Sequence, residues 1–140
     1  MIAEQEWAVV VNRLVGKPFK WSGRGPDAFD CWGLVIEARR SLGLPVGIDW
    51  ETWVAEGETP RIESSEMMEV QTRSPTWEVT HTPEPGDIVA LSSRHAIHHV
   101  GVLTPFGILN SVRGLGATLA SPARLKTMGY TRIEYFKWVG

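Results

Sequence analysis

Residues 16–35 read Gly-Lys-Pro-Phe-Lys-Trp-Ser-Gly-Arg-Gly-Pro-Asp-Ala-Phe-Asp-Cys-Trp-Gly-Leu-Val. The first half is a loop: Gly16 to Asp30 carries Gly and Pro at close intervals and no apolar period. The second half starts a helix. Leu34, Val35, Ala38 and Leu42 recur on one face from Cys31 to Leu42, and Cys31 lies on that stripe. Glu37, Arg39 and Arg40 are expected to face away. Asp30 suits the N-cap, and Gly43 and Pro45 end the helix. The only cysteine of the chain therefore sits in the first turn of a helix. Unpaired backbone N–H groups and the helix dipole favour a thiolate there. The same N–H groups can hold an oxyanion. Small Gly33 allows close packing behind the cysteine, and the loop is expected to leave the thiol accessible. A buried structural cysteine is the competing reading.

Outward from this stretch, Ile2 to Val15 reads as a helix. Trp7, Val10, Val11 and Leu14 fall at helical spacing, and Gly16-Lys17-Pro18 closes it. Pro45 to Pro83 carries little pattern, with short helices conceivable at Asp49 to Glu56 and Ser65 to Gln71. After Pro85-Gly86-Asp87 the period changes. Strands are expected at Ile88 to Leu91, His98 to Leu103, Ile108 to Val112, Ala117 to Ala120 and Arg132 to Val139. Helices first and strands second predict an α+β domain with an antiparallel sheet.

The strand region supplies a base and an orienter for the thiol. Histidines stand at His95, His98 and His99. Neighbours on a strand point to opposite faces, so His98 goes with Val100 and Val102, and His99 with Gly101 and Leu103. Gly101 removes bulk beside His99, as close approach of a helix end would require. Asn110, inside an otherwise apolar strand, needs a polar partner. It is either an orienter for the imidazole or an exposed-face residue of an edge strand. The histidines lack the paired spacing of zinc ligands, and neither metal nor cofactor is expected.

Size and composition fit this reading. The 140 residues suit one domain, 1–140, with a variable insertion at about 45–83. An apolar share of 43% argues against wholesale disorder, and a net charge of −2 gives no reason to expect nucleic acid. One cysteine excludes an intrachain disulfide. Without a basic start, a long apolar run or a span of roughly 20 apolar residues, the chain is expected to be made in a cytoplasm and to stay there unless carried out. Of the seven tryptophans, most are expected in the core and some along a groove.

The stretch Gly16 to Val35 resembles the nucleophile motif of the NlpC-like cell-wall cysteine peptidases. Pro85-Gly86-Asp87-Ile88-Val89 is similar to the strand entry before their histidine, and His99-Val100-Gly101-Val102 to the histidine motif. Ile108 to Ser111 falls where the family places its third polar residue. The likeness covers most of Gly16 to Arg124. It implies a papain-like fold, with N-terminal helices packed on a C-terminal antiparallel sheet, and Cys31, His99 and Asn110 as catalytic residues. It also implies cleavage of peptidoglycan stem peptides, often next to D-glutamate and diaminopimelate. The Asp-Cys-Trp-Gly-Leu variant on a short chain looks most like the phage-tail and gene-transfer-agent branch. That branch implies tail-tip or hub proteins as partners and a virion tail acting at the host wall as location. Asp30 and Phe19 stand at support positions around the oxyanion, and Trp21, Arg24 and His98 are candidate groove contacts. Three positions depart from the pattern. Phe19 replaces a Tyr whose hydroxyl points into the site, Asn110 replaces a common His, and Ser22 replaces a usual Gly. Two other functions fit the same residues. One is an inactive tail-tip assembly component, the other an acyltransferase or amidase using the same thiol–imidazole pair.

Overall fold

The computed structural model describes residues 2–46, 77–93 and 96–140, and for 96–98 the backbone alone. The short helices conceived at 49–56 and 65–71 and the tryptophans Trp50 and Trp53 lie outside the described residues. Helix α1 spans Glu4–Leu14 and buries Trp7, Val10, Val11 and Leu14, the four residues at helical spacing. Helix α2 spans Cys31–Ser41. Strand β1 is Trp77–Thr80, β2 Ile88–Ser93, β3 Ala96–Thr104, β4 Gly107–Val112 and β5 Gly116–Ala120. A short helix α3, Pro122–Thr127, precedes β6, Arg132–Trp138.

All strand pairs are antiparallel, in the order β1-β6-β2-β3-β4-β5. The architecture is the expected α+β arrangement of helices on an antiparallel sheet. Helix α2 packs on β3 and β4 and against α1. Strand alternation sorts the core into two parts. On the α2 side, Val100, Val102, Leu109 and Ala117 join Trp7, Phe29, Cys31, Leu34 and Val35. On the other side, Val89, Leu91, Ile108 and Ala120 surround Leu125 of α3. Each fully buried Leu or Val contributes about 1.5–3 kcal/mol, so burial on both faces fixes the register. None of the described helices is long and apolar enough to cross a membrane.

Two elements were not anticipated. Strand β1 is four residues long with burial at both ends and none between, so it lacks strand alternation; among the described residues it pairs only with β6. Helix α3 carries a signal that could have found it. Ser121 caps it by accepting from Arg124 N–H, and Pro122 fills its first turn.

Arg39 corrects an expectation. It does not face away but is 4% exposed. Its Nε donates to the Pro45 carbonyl at 2.9 Å, its Nη1 donates to the Gly86 carbonyl, and its guanidinium lies 4.9 Å from the Trp77 ring centroid. Burial pulls its pKa down to about 10, against the pull of nearby Asp87. An arginine can be buried when its donors meet carbonyls and its plane meets a ring. Helical spacing alone does not reveal such partners.

Candidate active site

The loop before α2 is tied down at both ends. Gly16 N–H donates to the Ala117 carbonyl at 2.9 Å, and Ala117 N–H donates to the Lys17 carbonyl at 2.8 Å, fixing its start to β5. Phe29 N–H donates to the Pro18 carbonyl and Lys20 N–H to the Phe29 carbonyl. Buried Ser111 of β4 also donates its hydroxyl to the Phe29 carbonyl, at 2.8 Å. Ser22 has φ +61°, a left-handed conformation that glycine adopts at lower cost.

Asp30 caps α2. Its Oδ1 accepts from Gly33 N–H at 2.6 Å and from Arg24 Nη1 at 2.6 Å. Arg24 also donates to the Gly23 carbonyl at 3.0 Å. Arg24 therefore reaches Asp30 and the Gly23 carbonyl from the loop before α2. The close packing expected at Gly33 is present. A Cβ there would stand 2.0 Å from the Gly23 carbonyl oxygen and 3.1 Å from both Arg24 Nη1 and Asp30 Oδ1.

Cys31 is 7% exposed, so the expectation of an accessible thiol does not hold. Burial pushes its pKa up to about 12, and the Asp30 carboxylate adds to the rise. Backbone hydrogen bonding at Val100 and Trp32 and the Arg24 charge act the other way. The contact at Val100 places the thiol against β3, one residue beyond His99. The β3–β4 ladder pairs Thr104 with Gly107, Leu103 with Ile108 and Val102 with Leu109. That ladder ends there, while β4 continues beside β5 to Val112.

His99 is 6% exposed and Asn110 is fully buried. His99 Nε2 and Asn110 Oδ1 are 2.9 Å apart. The Asn110 amide nitrogen already donates to the Ile108 and Thr118 carbonyls, at 3.2 and 3.3 Å. Its oxygen is therefore the acceptor for the imidazole, and Nε2 carries the proton. Nδ1 is left with the lone pair. Burial holds the His99 pKa below its ordinary value, and the Asn110 hydrogen bond opposes this only in part. Both shifts favour the uncharged forms of the thiol and the imidazole.

Gly101 serves a different neighbour from the expected helix end. A Cβ there would meet Ile108 Cγ2 at 2.9 Å, the Leu109 carbonyl oxygen at 2.9 Å and Asn110 Cβ at 3.2 Å. Its lack of a side chain makes room for β4 from Ile108 to Asn110. Of the remaining candidates, Phe19 makes an edge-to-face contact with Trp21 at 5.0 Å. Arg113 lies 5.8 Å from the Trp21 ring centroid, at the turn after β4. His98 is on β3, and its side chain lies outside the described residues. Tyr130, which the sequence did not single out, stacks on the His99 ring with centroids 5.4 Å apart and planes 13° from parallel.

Residues 16–123 match the model of the NlpC/P60 family. The chain is 26% identical over 108 residues to a protein of Listeria grayi named "Probable endopeptidase p60". That alignment takes in 77% of this chain but only 18% of the relative, so the chain spans under a fifth of its length. Among solved structures, the NlpC/p60 domain of the peptidoglycan hydrolase SagA superposes with a TM-score of 0.58 at 16% identity, covering 96% of this chain and 98% of that one. NlpC1 from Trichomonas vaginalis gives a TM-score of 0.63 at 17% identity, covering 98% of this chain and 45% of that one. At these identities the structures establish the fold.

Proposed function

The chain belongs to the NlpC/P60 family, and from that premise we propose that it is an endopeptidase cutting peptidoglycan stem peptides near D-glutamate and diaminopimelate. Peptidases of this family are cysteine peptidases. The observation that carries the reading is the His99–Asn110 hydrogen bond on the strand against which Cys31 lies.

In this reading Cys31 is the nucleophile, His99 the base and Asn110 the orienter. Burial favours the uncharged forms of both groups, so in this reading catalysis starts with a proton passing from Cys31 Sγ to His99 Nδ1 as the peptide arrives. Sγ then bonds to the peptide carbonyl carbon. Backbone N–H groups in the first turn of α2 hold the oxyanion. The C–N bond breaks as His99 returns its proton to the leaving amine. Water, deprotonated by His99, then releases the acyl group and restores the thiol. Throughout, Asn110 accepts from Nε2 and keeps Nδ1 as the basic nitrogen. Trp21, with Arg113 over it, forms an aromatic and cationic wall suited to a carboxylate-bearing stem.

The Asp-Cys-Trp-Gly-Leu motif supports placing the chain with phage-tail and gene-transfer-agent proteins. There it would sit in a virion tail beside tip or hub proteins and open the host wall. A second reading, an inactive assembly component of the same fold, is favoured by the buried thiol at about 12 and by Phe19, which has no hydroxyl to offer the site. Incubation with isolated diaminopimelate-type wall sacculi separates the two. Release of stem-peptide fragments supports the peptidase. Tight binding to a tail component with no fragment released supports the assembly role.

A further inference from the structure

We propose that Tyr130 is a positioning residue for His99, holding the imidazole plane in line with Asn110 and keeping water off its face. The inference rests on the peptidase reading of this site. Among the described residues the imidazole hydrogen-bonds Asn110, and that bond leaves rotation about its own axis unchecked. The stacked phenol supplies the missing restraint. Its ring is 13° from parallel to the imidazole with centroids 5.4 Å apart, within the range of offset aromatic stacking. Tyr130 follows α3 and Gly129, and its backbone N–H donates to the Leu125 carbonyl at 3.3 Å. Leu125 is fully buried, so this bond anchors the tyrosine to the core. Tyr130 itself packs against the cluster of Val89, Leu91, Ile108 and Leu125. The ring that covers His99 is thus fixed from the side of the sheet that carries α3.

The same cover explains how a histidine on a strand stays 6% exposed beside a tyrosine that is only partly buried. Loss of the phenol ring opens one face of the imidazole to solvent. Solvent relieves the burial that disfavours the charged form, so the imidazole becomes easier to protonate. Among the described residues, the charges of Asp30 and Arg24, from the loop before α2, bear on the neighbouring Cys31 thiol. Asn110 on β4 is the neutral group that meets the imidazole.

The test has two readouts, one of which does not need activity. The His99 ring is titrated by NMR in the full chain, in Tyr130→Phe and in Tyr130→Ala. Tyr130→Ala should raise the His99 midpoint toward its ordinary value, and Tyr130→Phe should leave it in place. With wall peptides, Tyr130→Ala should lower kcat about three- to tenfold with little change in KM, the rate equivalent of one aromatic stack. Tyr130→Phe should restore it. Tyr130→Leu carries both readouts if Tyr130→Ala does not fold. An unchanged His99 midpoint in the ring-deleted variants overturns the proposal, and so does a rise in kcat, which would make Tyr130 an obstacle. If the unaltered chain does not cleave wall peptides, the peptidase reading fails, while the titration still decides whether Tyr130 holds His99.

Discussion

Cys31 and His99 are held in place by different kinds of neighbour. Around Cys31 the contacts are close in sequence: Asp30 caps its helix, Gly33 admits the Gly23 carbonyl, and Arg24 clasps Asp30. Around His99 they are distant: Asn110 lies on the next strand and Tyr130 beyond a further strand and helix. Two strands join the halves. Val100 follows His99 and meets the thiol, and Ser111 follows Asn110 and holds the Phe29 carbonyl. Strand alternation lets adjacent residues serve opposite halves. The cysteine half is built mainly from its own loop and helix and is pinned to β4 and β5 by Ser111 and Ala117. The histidine half exists only once the sheet is paired.

Breaking the cysteine half should therefore give the largest effect on folding. Gly33→Ala puts a methyl 2.0 Å from a backbone oxygen, and the loop that must move is tied to β4 and β5. A loss of about 3 kcal/mol is expected in urea unfolding, at the upper end for overpacking. Breaking the histidine half should act mainly on chemistry. Asn110→Leu removes the acceptor that fixes the imidazole tautomer, and kcat on wall peptides should fall by roughly a hundredfold or more. It also leaves the Ile108 and Thr118 carbonyls short of a donor, at a cost of about 1–3 kcal/mol.

This contrast also explains what the sequence revealed. Both long helices and the strands from Ile88 onward were legible because burial on one or both faces imposes a clear period. Cys31, Asp30 and Gly33 were legible because a cap and a close approach are local matters. Asn110 could be singled out only as a polar residue in an apolar strand, and its tie to His99 needed the register. Arg39 misled, because its buried guanidinium is defined by carbonyls and a ring that the chain brings from elsewhere. Tyr130 left no trace in any local pattern. Its stacking depends on how α3 returns to the sheet.

Two smaller effects sharpen the comparison. Burial depresses the His99 pKa in the folded chain, so the unfolded chain binds the extra proton first. Its contribution to stability is present above its ordinary value near 6.5 and is lost as pH falls below that toward the folded value. Urea midpoints taken from about pH 7 downward should fall more steeply for the unaltered chain than for His99→Gln. On the cysteine side, the two charges at the cap act in opposite directions. Asp30→Asn keeps a capping oxygen while removing the charge that raises the thiol pKa, so iodoacetamide should alkylate Cys31 faster at a given pH. Arg24→Gln should slow it by a smaller factor, since Arg24 is the weakest of the influences named.

The central claim is that the two halves make one thiol-dependent peptidase site. Its most direct test is mass spectrometry of diaminopimelate-type muropeptides after incubation with the chain and with its Cys31→Ala variant, both verified as folded. The account predicts a fragment pair from a single cleaved peptide bond with the unaltered chain and none with Cys31→Ala. The same fragments at the same rate from both proteins would contradict it.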